Sequence, residues 1–250
     1  MEIVSLHPLD LDVARRYVES LRGGEVEPAW RGWFSERLLE DVARMAAGDE
    51  LAANRVTLGM ARALSYHQPL FVHQPFGLTF WEAHVDRPIG MLMRPPSRLF
   101  QDAGFAPAAV RAMPIRLDLQ HGMMGGAYIP ARLMDQAHAL IEDHLERTVK
   151  RLVAAEHDPM PTIGLMYEAV AYARDRGFGL YEAMDVVGPD GEGIPGATVV
   201  WPDPKRLDPA FRELIVAYQK PPKRPGLIKR LLGRGTVSLV PNGRPPDAPG

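Results

Sequence analysis

The hydrophobic period changes once along the chain, at Tyr66-His67-Gln68-Pro69, and that change limits the fold more than any motif does. Before it, apolar residues recur at helical spacing. From about Asp10 to Leu21 the stripe is Leu11, Val13, Ala14, Val18 and Leu21, and Gly23-Gly24 supplies a stop. A second helix is predicted from about Pro28 to Ala47, with Trp30, Phe34, Leu38, Val42 and Met45 on its apolar side. A third runs from about Glu50 to Ala63 and carries Leu51, Val56 and Met60. A short strand at residues 2–6 precedes all three.

After the change, short strand patterns mix with helices. Residues 70–74 and 78–85 read as a hairpin around Pro75-Phe76-Gly77. In its second strand, Leu78, Phe80, Glu82 and His84 would share one face, because side chains alternate along a strand. Residues 89–93 and 114–120 add further strands. A glycine loop at 121–126 and a short extended piece, Ala127 to Ile129, lead to Pro130. Pro130 opens the longest helix, to about Ala155, since proline suits a first helical turn. A helix over Thr162 to Arg176 stops at Gly177, strands at 180–187 and 197–201 follow, and a short helix spans Asp208 to Tyr218. There is no strict strand–helix–strand rhythm, so the class is α+β: a helical N-terminal part packed on a mixed or antiparallel sheet, with a long central helix.

Charge divides the chain further. Residues 219–250 hold seven basic residues, one acid, seven prolines and five glycines, which predicts a disordered basic tail of net charge +6. Residues 1–218 carry −8 and are expected to form one α+β domain, whose first 65 residues are mainly helical. At 250 residues and 46% hydrophobic composition the chain can bury a core without staples. The absence of cysteine excludes disulfides, thiol nucleophiles and iron–sulfur clusters. The first residues lack the basic and apolar segments of a signal peptide, and no apolar run approaches the roughly 18 residues of a membrane span, so a cytoplasmic location is expected.

Three places hold residue types with chemistry. At 118–130, Asp118, His121 and Tyr128 accompany Gly122, Gly125 and Gly126; a carboxylate that orients an imidazole makes a general base, and a glycine loop before a helix can cradle an anion. The spacing matches neither the dinucleotide fingerprint nor the P-loop, and no cofactor is named by a motif. His67, His73, Glu82 and His84 offer imidazole and carboxylate ligands for a metal if the hairpin register puts them on one face. On the long helix His144 falls inside the apolar stripe, whereas His138 faces Glu142 one turn on.

Two function classes follow. The first is a partner-binding protein of adaptor, inhibitor, immunity or regulatory type. Its basic arm, residues 220–235, would fold against a protein or an anionic membrane surface through Leu227, Ile228, Leu231 and Leu232. Nucleic acid is disfavoured, because the body is acidic and the tail has no aromatic residue for stacking. The second is a hydrolase or transferase using the 118–130 loop or the His/Glu set. Deleting residues 219–250 is expected to leave the body folded, with a melting temperature within a few degrees of the full chain. A large drop would make the arm part of the core.

Overall fold

The computed structural model describes residues 3–23, 28, 36–52, 55–56, 59, 61, 68–73, 76–95, 97–111, 127–187 and 197–220. The chain divides into Met1–Gln219 and Lys220–Gly250, and the described residues belong to the first unit except Lys220. Five strands form one mixed sheet: β1 (Val4–Leu9), β2 (Pro69–Val72), β3 (Tyr128–Ile129), β4 (Gly179–Met184) and β5 (Thr198–Val200), in the order β3-β4-β1-β2-β5. Every pairing is antiparallel except β2 with β5. With helices gathered around it, the fold is α+β.

β1 lies between β4 and β2, and all six of its residues are buried. That burial requires a helical layer on each face. Alternation along the strands sorts side chains into two cores. Leu9, Leu70, Val72, Tyr181 and Ala183 face the first, with Ala14, Tyr17 and Val18 of α1 (Leu11–Gly23) and Met45 of α2 (Glu36–Ala46). Residues 50–52 and 55, 56, 59 and 61 are helical and add Ala52, Val56 and Ala61 to the same core. The buried Asp41 carboxylate accepts from Arg55 Nε and Nη2, both at 2.5 Å, and ties α2 to that stretch. Leu6, Phe71, Ile129, Leu180 and Val200 face the second core.

Two polar side chains sit inside β1 and satisfy each other. Ser5 Oγ lies 2.7 Å from His7 Nε2, and the His7 ring stacks on Tyr181 at 4.6 Å. Burial alone lowers the His7 pKa from 6.5 to about 3, so the imidazole stays neutral.

The expected strand at 78–85 is helical. It comprises α3 (Leu78–Phe80) continuing into a π-turn, Trp81–Val85, followed by α4 (Arg87–Gly90) where a strand was expected at 89–93. An eight-residue window fits both periods here. Leu78, Trp81, Val85 and Ile89 also recur three and four apart, and all four are buried. Tertiary structure decides the choice. The N-cap, Gly77, has no side chain to offer, and Glu182 of β4 takes its place. The Glu182 carboxylate accepts from Thr79 N at 3.0 Å and Thr79 Oγ1 at 2.6 Å, as a cap would. A Cβ at position 77 would collide with that carboxylate, which is why glycine stands there.

Two short helices follow, α5 (Ser97–Asp102) and α6 (Pro107–Arg111). The expected strand at 114–120 lies outside the described residues. The long central helix starts as a 3-10 turn, Ala131–Leu133, and breaks at His144 into α7 (Met134–Asp143) and α8 (Leu145–Ala154). α9 (Pro159–Asp175) is capped by Asp158, which accepts from Met160 N at 3.0 Å, and stops before Gly177 at φ +68. It covers the second core, and α10 (Pro209–Gln219) adds Phe211 and Ile215. No helix among the described residues is long and apolar enough to cross a membrane.

His7 makes stability depend on pH in a defined direction. Its folded pKa of about 3 lies below its unfolded value near 6.5, so the unfolded chain takes up the proton first as pH falls. Stability contributed by the neutral ring is complete above the unfolded value and drains away between the two. Urea unfolding between pH 6 and pH 4 is expected to lose up to about 1.4 kcal/mol per pH unit from this one group. His7→Asn should flatten the slope by that amount; an unchanged slope would contradict the assignment.

Candidate functional site

The π-turn sets the site. Asp86 N donates to Trp81 O at 2.8 Å, five residues back, and the wider turn places Asp86 immediately after it. π-turns of this kind recur at functional positions. Asp86 is the N-cap residue of α4, yet its side chain caps nothing. Its carboxylate is buried and points instead to α8. One oxygen, Oδ2, lies 2.8 Å from His144 Nδ1; the other, Oδ1, accepts from the Arg147 guanidinium. Arg151 Nη1 donates to Val85 O at 2.6 Å and holds the end of the π-turn from the same helix.

This geometry determines the histidine tautomer. A ring lone pair facing a carboxylate oxygen at 2.8 Å would be repulsive, and Arg147 donates to the other oxygen. The proton therefore sits on Nδ1, which donates to Asp86. Arg147 also approaches Nδ1 to 2.9 Å, but that nitrogen has no lone pair to offer it. Nε2 is left with its lone pair. The His144 side chain is about a quarter exposed, and it borders a shallow, largely open groove along residues 143–154. Asp143, Glu146, Arg147, Lys150, Arg151 and Ala154 line the remainder. Lys150 is paired with Glu146. A buried carboxylate, an oriented imidazole and flanking cations form an arrangement that can take a proton from a bound water or hydroxyl.

Of the residues expected from sequence, His73, Glu82, His84 and Tyr128 are described. Asp118, His121, Gly122, Gly125, Gly126 and His67 lie outside the described residues. Tyr128, expected beside an open loop, is instead buried in β3 with its ring against the Gly179 backbone. Burial, then the nearby Asp102 charge, raises its hydroxyl pKa, so it is a poor acid. Glu82 and His84 do not share a face, because they are two residues apart on a helical backbone. Glu82 packs against Gly90, and His84 against the Phe80 ring at 4.8 Å. His73 Nε2 lies 3.2 Å from Thr162 Oγ1 and its ring meets Phe76 edge-on. Its pKa is lowered to about 4 by burial, against the weaker pull of Asp158. Among the described residues, no three His, Asp or Glu side chains gather as metal ligands.

On the central helix His138 meets Glu142 as expected, but the burial of the two histidines is reversed. His138 is the more buried, under the Tyr167 ring at 4.7 Å, and Glu142 lies 3.5 Å from its Nδ1. Burial is the main cause that lowers its pKa, with Arg174 second. His144 is the more open of the two, because the helix breaks at this residue, with φ −100 and ψ 7.

Sequence reasoning missed Asp86, Arg147 and Arg151. Asp86 stands 58 residues from His144, and no local period connects them. One signal was available: Asp86-Arg87-Pro88 has an aspartate N-cap and an early proline, the pattern that starts a helix. No protein-family model matches this chain, and neither a curated protein nor a solved structure matches it.

Asp86→Ala is expected to lower stability by about 1–3 kcal/mol, because it strips a buried acceptor from His144 and Arg147. Glu146→Ala, which breaks an exposed pair on the same helix, should cost at most about 0.5 kcal/mol. Equal losses in urea unfolding would show that the Asp86 pairing is energetically ordinary.

Proposed function

We propose that the groove over Asp86 and His144 is an acid–base site of hydrolase or transferase type. The observation that carries this reading is the 2.8 Å contact between the buried Asp86 carboxylate and His144 Nδ1, with Nε2 left for a ligand. His144 would accept a proton from a water or a substrate hydroxyl through Nε2. Asp86 would hold the ring in the required tautomer and stabilise the imidazolium that forms. Arg147 and Arg151 would face negative charge developing on the substrate. Val85 and Asp86 are held to α8 at two points, by Arg151 and by the His144–Arg147 pair, so the base is prepositioned rather than assembled on binding.

A partner-binding role through residues 220–235 is the second reading. Its support is the charge division of the sequence: +6 on the arm against −8 on the body. The two readings use different surfaces and are separable by deleting the arm.

The test of the first is turnover of neutral p-nitrophenyl acetate by the full chain and by His144→Gln, with melting temperatures measured alongside. The expected result is a loss of about 10²-fold in the variant, at an unchanged fold. Equal rates in the two proteins would overturn the reading.

A further inference from the structure

His144, Arg147 and Arg151 are spaced three and four residues apart, so they fall on one face of α8. The charges on that face are not equally committed. Lys150 is neutralised by Glu146, and Arg147 by the buried Asp86. Arg151 differs: its Nη1 donates to a backbone carbonyl, Val85 O, which carries no net charge to balance the guanidinium. A guanidinium has five N–H donors in a fixed fork, and one is occupied by Val85. Arg151 borders the groove one helical turn beyond Arg147 and two beyond His144, and a turn is about 5.4 Å. Asp143 lines the groove beside His144 and adds a carboxylate at the end away from Arg151.

From this arrangement we infer that the groove takes a small substrate bearing a single oxyanion group, held by Arg151 with Arg147 beside it, and the reacting atom at His144. The inference rests on the acid–base reading above and names its substrate class. Arg151 is the specificity-determining residue. Its fork matches the two oxygens of a carboxylate or a phosphate, and Arg151, with no carboxylate partner among the described residues, balances one negative charge. Polyanions fit poorly, because Asp143 and the paired Glu146 repel charge that extends along the groove. A carboxylate and a phosphate share this recognition chemistry, and binding of each separates them.

The experiment follows the His144 ring resonances of the full chain by NMR while acetate, inorganic phosphate or tripolyphosphate is added. Acetate or phosphate is expected to shift the His144 signals saturably, and tripolyphosphate to bind no more tightly than phosphate. Arg151→Met should weaken the monoanion at least tenfold. Arg151→Lys, which keeps the charge and a donor for Val85 O, should recover part of it and serves as the control for folding. No shift with either small anion, or equal binding by Arg151→Met, would overturn the inference. Tighter binding of tripolyphosphate would overturn the single-charge assignment. Turnover of the neutral ester separates this inference from the reading beneath it. His144-dependent turnover without anion binding removes the substrate class and leaves the base. Arg151-dependent anion binding without His144-dependent turnover removes the base and leaves an anion site.

Discussion

β1 is buried on both faces, and the rest of the body is arranged to make that tolerable. A strand with no solvent side must pair both edges and cover both faces. β4 and β2 take the edges, and two separate apolar cores take the faces. The strand is not purely apolar. Ser5 and His7 occupy positions where unpaired polar groups would be costly, and they form their own contact beside Tyr181. Tyr181 in turn donates from its hydroxyl to Ala61 O at 3.1 Å. The same buried spot thus links the sheet to the helical segment that precedes β2.

The π-turn is the second junction. At its start, Glu182 reaches across from β4 to cap α3. At its end, Asp86 and the Val85 carbonyl are held by α8. The turn is therefore tied to the sheet on one side and to the groove-bearing helix on the other. Burial raises the Glu182 pKa, against the opposing hydrogen bonds from Thr79. A carboxylate is kept there despite the desolvation because only an acceptor can satisfy those helix-start donors. The groove's geometry consequently depends on residues that never touch it.

Asp41 and Asp86 show one solution used twice. Each is a buried carboxylate that receives an arginine from a neighbouring helical segment. At Asp41 the partners are Arg55 and the more distant Arg44, and the result is a helix-to-helix clamp. At Asp86 an imidazole replaces one of the guanidiniums. That replacement separates a group that only holds from one that can also exchange a proton.

Much of the fold was legible because it is written locally. Leu11, Ala14 and Val18 mark α1, Gly177 bounds α9, and the mixed order of helices and strands implies α+β. Residues 78–85 were misread because eight residues of aromatic and apolar character fit both periods, and the deciding cap lies about a hundred positions away at Glu182. The site was illegible for the same reason. His144 stood out by its place in the stripe, but its exposure follows from a break in the helix, and its partner Asp86 comes from a turn that no spacing rule predicts. Sequence alone determined the class of the fold, the charge division and several helix ends, because these depend on period, composition and caps within a few residues. Tertiary structure decided which polar groups meet, because burial, tautomer and pairing depend on neighbours brought together from distant parts of the chain.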